Sequence, residues 1–306
     1  MRNDSTYLFR SALPDFLREF VQNIPQEVNR GYYFGSDGWI WGRDFVCKSG
    51  PNQGELEIKR HWMQWLLWGR FAYNPELSNE RLAGILQARF PEVDGAQLLE
   101  AWQAASMVFP ITTGFHWGPL DYHWYPEACV GVKGSRKKGG FHDVESFIQL
   151  DNHGGTDFID IETYVKELKK GNKPDGKTPH QAARRLLENA EKALSIIKTL
   201  DVGSNPELAE TLKDIEALAL LGRYYGYKIE GSARLHLFRE IKNPSDQQKA
   251  IEALEEAAAN WRPYVDNLTT RYQTPRWLSR IRSEPVDWSE LTQWVDEDIE
   301  IARQAK

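Results

Sequence analysis

Residues 31–45 read GYYFGSDGWIWGRDF, and this stretch decides how the rest of the chain is interpreted. A short aromatic run ends at Gly35, and a carboxylate, two tryptophans and an arginine follow it: Asp37, Trp39, Trp41 and Arg43. The pattern predicts a strand whose end opens into a polar mouth with aromatic walls. Such a mouth suits a sugar, because its C–H faces can stack on indoles while its hydroxyls bond to charged side chains. The same residues also fit a β-turn between two strands whose aromatic side chains pack in the core.

The flanking segments predict a repeated strand–helix order. Residues 6–10 form a β-type run, residues 16–24 have helical spacing after Pro14, and residues 55–73 predict one long helix without proline. Connections too long for hairpins make this order typical of parallel βα units. Ligands bind at the carboxyl ends of such strands, where Arg10 and Asp37 stand. Two strands do not make a stable parallel sheet, so we expect residues 1–75 to need further strands or helices beside them.

Residues 76–306 predict a helical domain. Helices are expected at residues 78–89 and 97–108, in a short segment that ends at Gly171, and in four amphipathic segments that begin near residues 178, 206, 245 and 289. The last four predict an antiparallel bundle. A second aromatic loop, residues 113–127 (TGFHWGPLDYHWYPE), carries His116, Trp117 and Trp124. The predicted class is therefore mainly α with an N-terminal α/β part.

Composition bounds the function classes. The chain has 306 residues, a net charge of -6 and twelve tryptophans, eight of which lie between Trp39 and Trp124. An acidic chain argues against nucleic acid as a partner, because phosphate binding needs a concentrated basic face. No apolar run approaches the roughly 20 residues that a membrane helix needs. The N-terminus lacks a signal-peptide core, which favours the cytoplasm by default, although a longer N-terminus could carry such a signal.

Sequence motifs indicate no cofactor or metal. Phosphate-binding glycine loops and a nucleophile elbow are absent from the sequence. The two cysteines, Cys47 and Cys129, form neither a disulfide framework nor a metal motif, and the spacing of His116 and His123 matches no zinc pattern. Paired carboxylates fit glycosidic cleavage, which uses two carboxyl groups about 5–9.5 Å apart. Asp37 and Asp44 supply such a pair, unless Asp37 is a turn residue and Asp44 only pairs with Arg43.

Residues 61–90 (HWMQWLLWGRFAYNPELSNERLAGILQARF) carry a resemblance to a known family. The segment is similar to one in the α-glucuronidases that remove glucuronic acid from xylan side chains. Residues 68–78 (WGRFAYNPELS) stand where that family has an aromatic helix end and a Pro-x-Leu-Ser step, and residues 34–38 (FGSDG) look like the end of its last barrel strand. The resemblance covers about residues 30–130.

The resemblance implies the last two βα units of an incomplete (β/α)8 TIM-type barrel, followed by a helical domain. It implies hydrolysis of a glycosidic bond to an acidic sugar of a plant or algal polysaccharide, with inversion and without a cofactor. The family's general acid and base map onto no residue here. We therefore expect an inactive isolated chain that belongs to a larger protein.

The candidate site residues follow from the strand ends and the aromatic loops. Asp37 is the candidate catalytic carboxylate, and the substrate-binding candidates are Arg10, Trp39, Trp41, Arg43, His116, Trp117 and Trp124. A homodimer through the helical domain is the expected assembly. The alternative function is a non-catalytic carbohydrate-binding or interaction module that uses the same aromatic loops.

Overall fold

The structure, a computed structural model, describes residues 8–25, 27–29, 31, 46–116, 124–131, 140–276 and 285–306. Its residues divide into two compact units. Unit 1 comprises residues 1–107, 190–219 and 270–273, and unit 2 comprises residues 108–189, 220–269 and 274–306. The domain boundary predicted near residue 75 stays a prediction.

The described residues are mainly helical, as the sequence predicts. The helices are α1 (Pro14–Gln22), α2 (Glu57–Arg60), α3 (Trp62–Tyr73), α4 (Asn79–Arg89), α5 (Gly95–Ser106), α6 (Val108–Phe115), α7 (Val144–Gln149), α8 (Ile161–Lys169), α9 (Pro179–Ile197), α10 (Pro206–Ile241), α11 (Pro244–Arg271) and α12 (Trp288–Arg303). Strands β1 (Trp124–Tyr125) and β2 (Val130–Gly131) form a short antiparallel ribbon. None of these helices is both long and apolar enough to cross a membrane.

The N-terminal strand predicted at residues 6–10 is not found in its described part, Leu8 to Arg10. The backbone groups there bond to side chains instead of to a neighbouring strand. The Leu8 carbonyl accepts a hydrogen bond from Arg60, and the Arg10 N–H donates to Asp214 at 3.1 Å. The second predicted strand, residues 32–34, lies outside the described residues, so the barrel units remain a prediction.

The helix predicted at residues 55–73 is present as two helices, α2 and α3, which meet at His61. Farther along, the helix start predicted at residue 78 agrees with a side-chain cap, because Ser78 Oγ accepts the backbone N–H of Arg81 at the start of α4. The helix predicted at residues 97–108 begins and ends two residues earlier, as α5, and Asp94 caps it by accepting the backbone N–H groups of Ala96 and Gln97. Such caps satisfy N–H groups that have no partner within the helix.

Helices α4 and α5 pack closely in unit 1, and Gly95 makes the approach possible. A Cβ at Gly95 would overlap the Ala83 carbonyl oxygen and would lie 2.8 Å from the Gln87 nitrogen. In contrast, a Cβ at Gly84 in α4 would meet nothing within 4 Å.

We expect opposite stability changes from the same substitution at these two glycines. Gly95→Ala should destabilise the protein by about 1–3 kcal/mol, because the added methyl forces two helices apart. Gly84→Ala should stabilise it by about 0.5–1 kcal/mol, because alanine loses less backbone entropy in a helix. Urea-induced unfolding followed by circular dichroism measures both changes. Equal effects at the two positions would contradict the α4–α5 packing.

Unit 2 has an aromatic core that surrounds residues 126–131. Tyr264 and Trp288 both donate to the Glu127 carbonyl, at 2.6 and 2.8 Å, and Tyr225 donates to the Pro126 carbonyl. These bonds satisfy carbonyl groups of a buried turn, where an unpaired group would be costly. The core therefore holds the turn that joins β1 to β2 in place.

Candidate functional site

The structure describes three of the eight candidate site residues. Asp37, Trp39, Trp41, Arg43 and Trp117 lie outside the described residues. Arg10 belongs to unit 1, whereas His116 and Trp124 belong to unit 2. The surroundings of these residues are therefore considered one unit at a time.

Arg10 is buried, with 2% of its surface exposed. Its Nε donates to Asp214 Oδ2 at 2.6 Å, and its backbone N–H donates to the same oxygen. The Arg10 carbonyl accepts from the Trp102 indole at 2.7 Å. These bonds commit Arg10 to the interior of unit 1, and a sugar does not reach the guanidinium in this conformation.

Asp214 is the centre of a buried charge cluster. Its Oδ1 accepts from Arg271 Nη1 at 2.7 Å and from the Tyr272 hydroxyl at 2.5 Å, while Arg60 Nη1 lies 3.5 Å from Oδ2. Burial alone would raise the pKa of Asp214, but the guanidinium groups of Arg10 and Arg271 outweigh it and hold the pKa well below its usual range. The Asp214 carboxylate is therefore ionised at neutral pH.

Glu57 extends this cluster. Its Oε2 accepts from Arg60 Nε at 2.9 Å and lies 3.6 Å from His61 Nε2. Burial would raise the pKa of Glu57, but Arg60 and His61 lower it to about 2. Burial and the Arg60 charge lower the pKa of His61 to about 4. Glu210 completes the balance at 3.1 Å from Arg271 Nη1. The cluster is internally compensated, which is the arrangement of a structural network.

His116 and Trp124 lie together in unit 2, with ring centroids 4.8 Å apart. Both are almost fully buried. His116 stacks on Phe147 at 3.9 Å, and Trp124 stacks on His142 at 4.7 Å. The imidazoles of His116 and His142 meet at 2.8 Å between Nε2 and Nδ1. The structure thus unites two predicted site residues with a histidine that the sequence did not single out.

A buried ion pair lies beside this aromatic group. Lys228 Nζ is 2.5 Å from Asp298 Oδ2, and it lies over the ring of Phe141 at 4.5 Å. Asp298 Oδ1 also accepts the backbone N–H of Val144 at 2.9 Å. Burial raises the pKa of Asp298 to about 6, so the carboxylate is still largely ionised at pH 7. Lys228 and Asp298 therefore neutralise each other inside unit 2.

An open groove of about 560 Å³ lies in unit 1. It is lined by aromatic, apolar and amide-bearing residues together with one carboxylate and one glycine: Phe16, Glu19, Phe20, Asn23, Ile24, Pro25, Asn29 and Gly31. Aromatic faces beside amide groups are the surface that a sugar ring uses. This groove is one accessible surface of the described residues that offers such side chains.

Side chains that bind metals do not cluster in the described residues. No three His, Cys, Asp or Glu side chains in this part of the chain are placed to hold one ion. The carboxylates of Asp214, Glu57 and Asp298 are all engaged with cationic partners. The two buried clusters consequently hold structure, and neither offers a free acid and base to a glycosidic bond.

Sequence reasoning missed His142, Lys228 and Asp298. Residues 132–160 look irregular because they are rich in glycine and polar side chains, so His142 carried no periodic signal. Lys228 did carry such a periodic signal, because it shares a helical face with the aromatic residues Tyr224 and Tyr225. A charge on a buried helical face predicts a buried partner, here Asp298.

Comparisons with known proteins show a fold and no family. No protein-family model matches the chain, that of the α-glucuronidases included, and no curated protein matches its sequence. Among solved structures the chain is similar to one described as a GH138 enzyme targeting pectin rhamnogalacturonan II, with a TM-score of 0.74 and 15% sequence identity. The match covers 97% of this chain and 45% of that enzyme, so the chain spans less than half of its length. The chain therefore shares the fold of part of that enzyme.

Proposed function

We propose that this chain binds an acidic polysaccharide as part of a glycoside hydrolase-like protein. The observation that carries the proposal is the fold, which matches a pectin-targeting glycoside hydrolase over 97% of the chain with a TM-score of 0.74. Pectins are acidic polysaccharides, and the sequence resemblance to the xylan α-glucuronidases also points to a uronic acid. The finer proposal is a ligand that contains glucuronic acid.

The two aromatic stretches supply the residue types that such a ligand needs. Trp39, Trp41 and Trp117 offer indole faces to sugar rings. Arg43 is the proposed partner of the uronate carboxylate, because a guanidinium fork binds two oxygens at once. Arg10 is a weaker candidate than the sequence predicted, since Asp214 holds it inside unit 1.

Whether this chain also hydrolyses its ligand is a separate question. Inverting cleavage needs an acid and a base carboxyl on opposite sides of the bond. The buried carboxylates in both described clusters are engaged in ion pairs, which favours binding as the role of this chain. Asp37 remains the proposed contributing carboxylate. We expect no release of uronic acid from pectic or glucuronoxylan oligosaccharides by the isolated chain. Release that Asp37→Asn abolishes would make the chain an enzyme in its own right.

Tryptophan fluorescence should report binding at the first aromatic stretch, residues 31–45. Acidic oligosaccharides are expected to change the emission saturably, and Trp39→Ala or Trp41→Ala should weaken the affinity about tenfold or more, as loss of a tryptophan anchor does at interfaces. Tyr73→Ala is the matched control, because Tyr73 is an aromatic residue with 92% of its surface exposed. An equal loss in the control, or no loss in either tryptophan variant, would remove the first stretch from the binding site.

A further inference from the structure

The His116–His142 pair constrains its own protonation. Nε2 of His116 and Nδ1 of His142 are 2.8 Å apart, and both side chains are buried. A neutral imidazole has one N–H and one bare nitrogen, so one ring donates and the other accepts. The pair can accept one proton and keep this bond. A second proton would place two N–H groups against each other.

Among the described residues, no anion around the pair bonds to either ring. His116 stacks face to face on Phe147, and Trp124 covers His142. Within the described residues, His116 Nδ1 and His142 Nε2 have no hydrogen-bond partner. An imidazolium ion in this position would be a buried charge without a counter-charge, which is expensive.

The charged groups nearby oppose protonation or are already engaged. From α10, Lys228 brings a positive charge over Phe147 at 5.2 Å. From α12, Asp298 is bound to Lys228 and to the Val144 N–H. Burial raises the pKa of Asp298 to about 6, so its own proton uptake in mild acid favours the closed state and offsets part of the effect of the two histidines. At the start of α7, Asp143 accepts from the Ser146 N–H at 2.9 Å. No carboxylate among the described residues therefore accepts a hydrogen bond from either ring.

The thiol and phenol groups around the pair are neutral near pH 7. The Cys129 thiol donates to the His142 carbonyl at 3.4 Å, and burial raises its pKa. Tyr224 and Tyr225 of α10 have pKa values raised well above the usual range by burial. Neither the thiol nor a phenol supplies a negative charge near neutral pH.

Two other histidines of the chain face a carboxylate: His180 Nδ1 lies 2.5 Å from Glu230, and His61 lies 3.6 Å from Glu57, although burial and Arg60 still lower the pKa of His61 to about 4. Burial and Lys228 lower the pKa of His142 to about 3, and burial, the neighbouring His142 and Lys228 lower that of His116 well below 6.5. In an unfolded chain both would titrate near 6.5.

We propose that the His116–His142 pair is a pH-sensitive switch in unit 2, which joins the end of α6 to residues 140–142 while both rings are neutral and releases this region in mild acid. The sign follows from linkage. The open state takes up protons below about pH 6.5 and the closed state does not, so stability is full above that pH and is lost as the pH falls. Between pH 6.5 and its lower pKa in the closed state, each histidine raises the equilibrium constant for opening about tenfold for each unit that the pH falls.

The two cysteines of the chain provide a test within one molecule. Both are buried free thiols. Cys129 donates a hydrogen bond to the His142 carbonyl in unit 2, and Cys47 lies in unit 1. The protein is treated with 4,4′-dithiodipyridine at pH 7 and pH 5, and mass spectrometry of peptides gives the rate at each cysteine. The Cys129 rate, relative to the Cys47 rate, should rise about twofold or more from pH 7 to pH 5. Two buried histidines act on unit 2, whereas only His61 acts in the same sense on unit 1, and proton uptake by Asp298 offsets part of the histidine effect. An unchanged ratio would overturn the switch.

A double variant tests whether the pair is the cause. Glutamine places its amide near a histidine Nε2, and asparagine places its amide near Nδ1, so His116→Gln with His142→Asn keeps the bond and removes both titrations. The pH-dependent rise in the Cys129 ratio should disappear in this variant and persist in His180→Gln. If the double variant does not fold, ¹⁵N spectra of the wild-type histidines decide, and titration of His116 or His142 near pH 6.5 in the folded protein would contradict the proposal.

Discussion

Asp214→Ala should destabilise the protein by about 3–5 kcal/mol or prevent it from folding. The substitution leaves the guanidinium groups of Arg10, Arg60 and Arg271 in the interior of unit 1 without the carboxylate that they share. Removing one partner from a buried ion pair costs far more than the pair contributes, because the remaining charge stays away from water. The loss should be visible in the urea concentration at the unfolding midpoint at pH 7.

An exposed aspartate–arginine pair is the matched control. Asp296 lies 2.5 Å from Arg262, and about half of each side chain is exposed. Asp296→Ala should change the stability by less than about 1 kcal/mol, because solvent screens the pair. Asp214→Asn keeps the shape and loses the charge, so it should fall between the two. If Asp214→Ala unfolded at the same urea concentration as Asp296→Ala, the buried cluster would not organise unit 1.

Asp298→Ala should cost a similar amount in unit 2, about 3–5 kcal/mol. It leaves the Lys228 ammonium fully buried, facing the rings of Phe141, Phe147 and Tyr224 at 4.5, 5.2 and 5.5 Å. It also leaves the Val144 N–H at the start of α7 without its acceptor. Urea-induced unfolding at pH 7.5 measures the loss, because the Asp298 carboxylate is then ionised in the wild type.

A double substitution separates lost charge from lost packing. Lys228→Met together with Asp298→Leu removes both charges and fills their volume, and a replaced buried ion pair is often neutral in stability or better. The double variant should therefore be more stable than Asp298→Ala alone. A double variant as unstable as the single one would show that the ion pair is not the source of the loss.

The helices could be predicted from the sequence because their cause is local. Apolar residues recur with the period of a helix in α9 to α12, and residue 78 marks a helix start whose cap, Ser78, the structure contains. The strand predicted at residues 6–10 is wrong in its described part for a non-local reason. Residues 8–10 have strand-like side chains, but their backbone bonds to Arg60 and Asp214, which lie far along the chain.

The surroundings of the candidate residues could not be predicted for the same reason. His116 and Trp124 were singled out by their aromatic loop, but His142 meets them only through the tertiary fold. Arg10 was predicted at a strand end facing a ligand, whereas its partner Asp214 is 204 residues away. Periodicity says which face of an element is buried, but it does not say which charge on another element meets it.

Calorimetric titration of the chain with an acidic pectic or glucuronoxylan oligosaccharide tests carbohydrate binding most directly. The matched control is the same oligosaccharide after reduction of its uronic acid carboxyl groups to alcohols, which removes the charge and keeps the sugar rings. We predict saturable binding of the acidic form and binding at least about tenfold weaker to the reduced form, because the arginine fork loses its carboxylate. Equal binding of the two forms would contradict recognition of the acid, and no binding of either would contradict a carbohydrate-binding role for this chain.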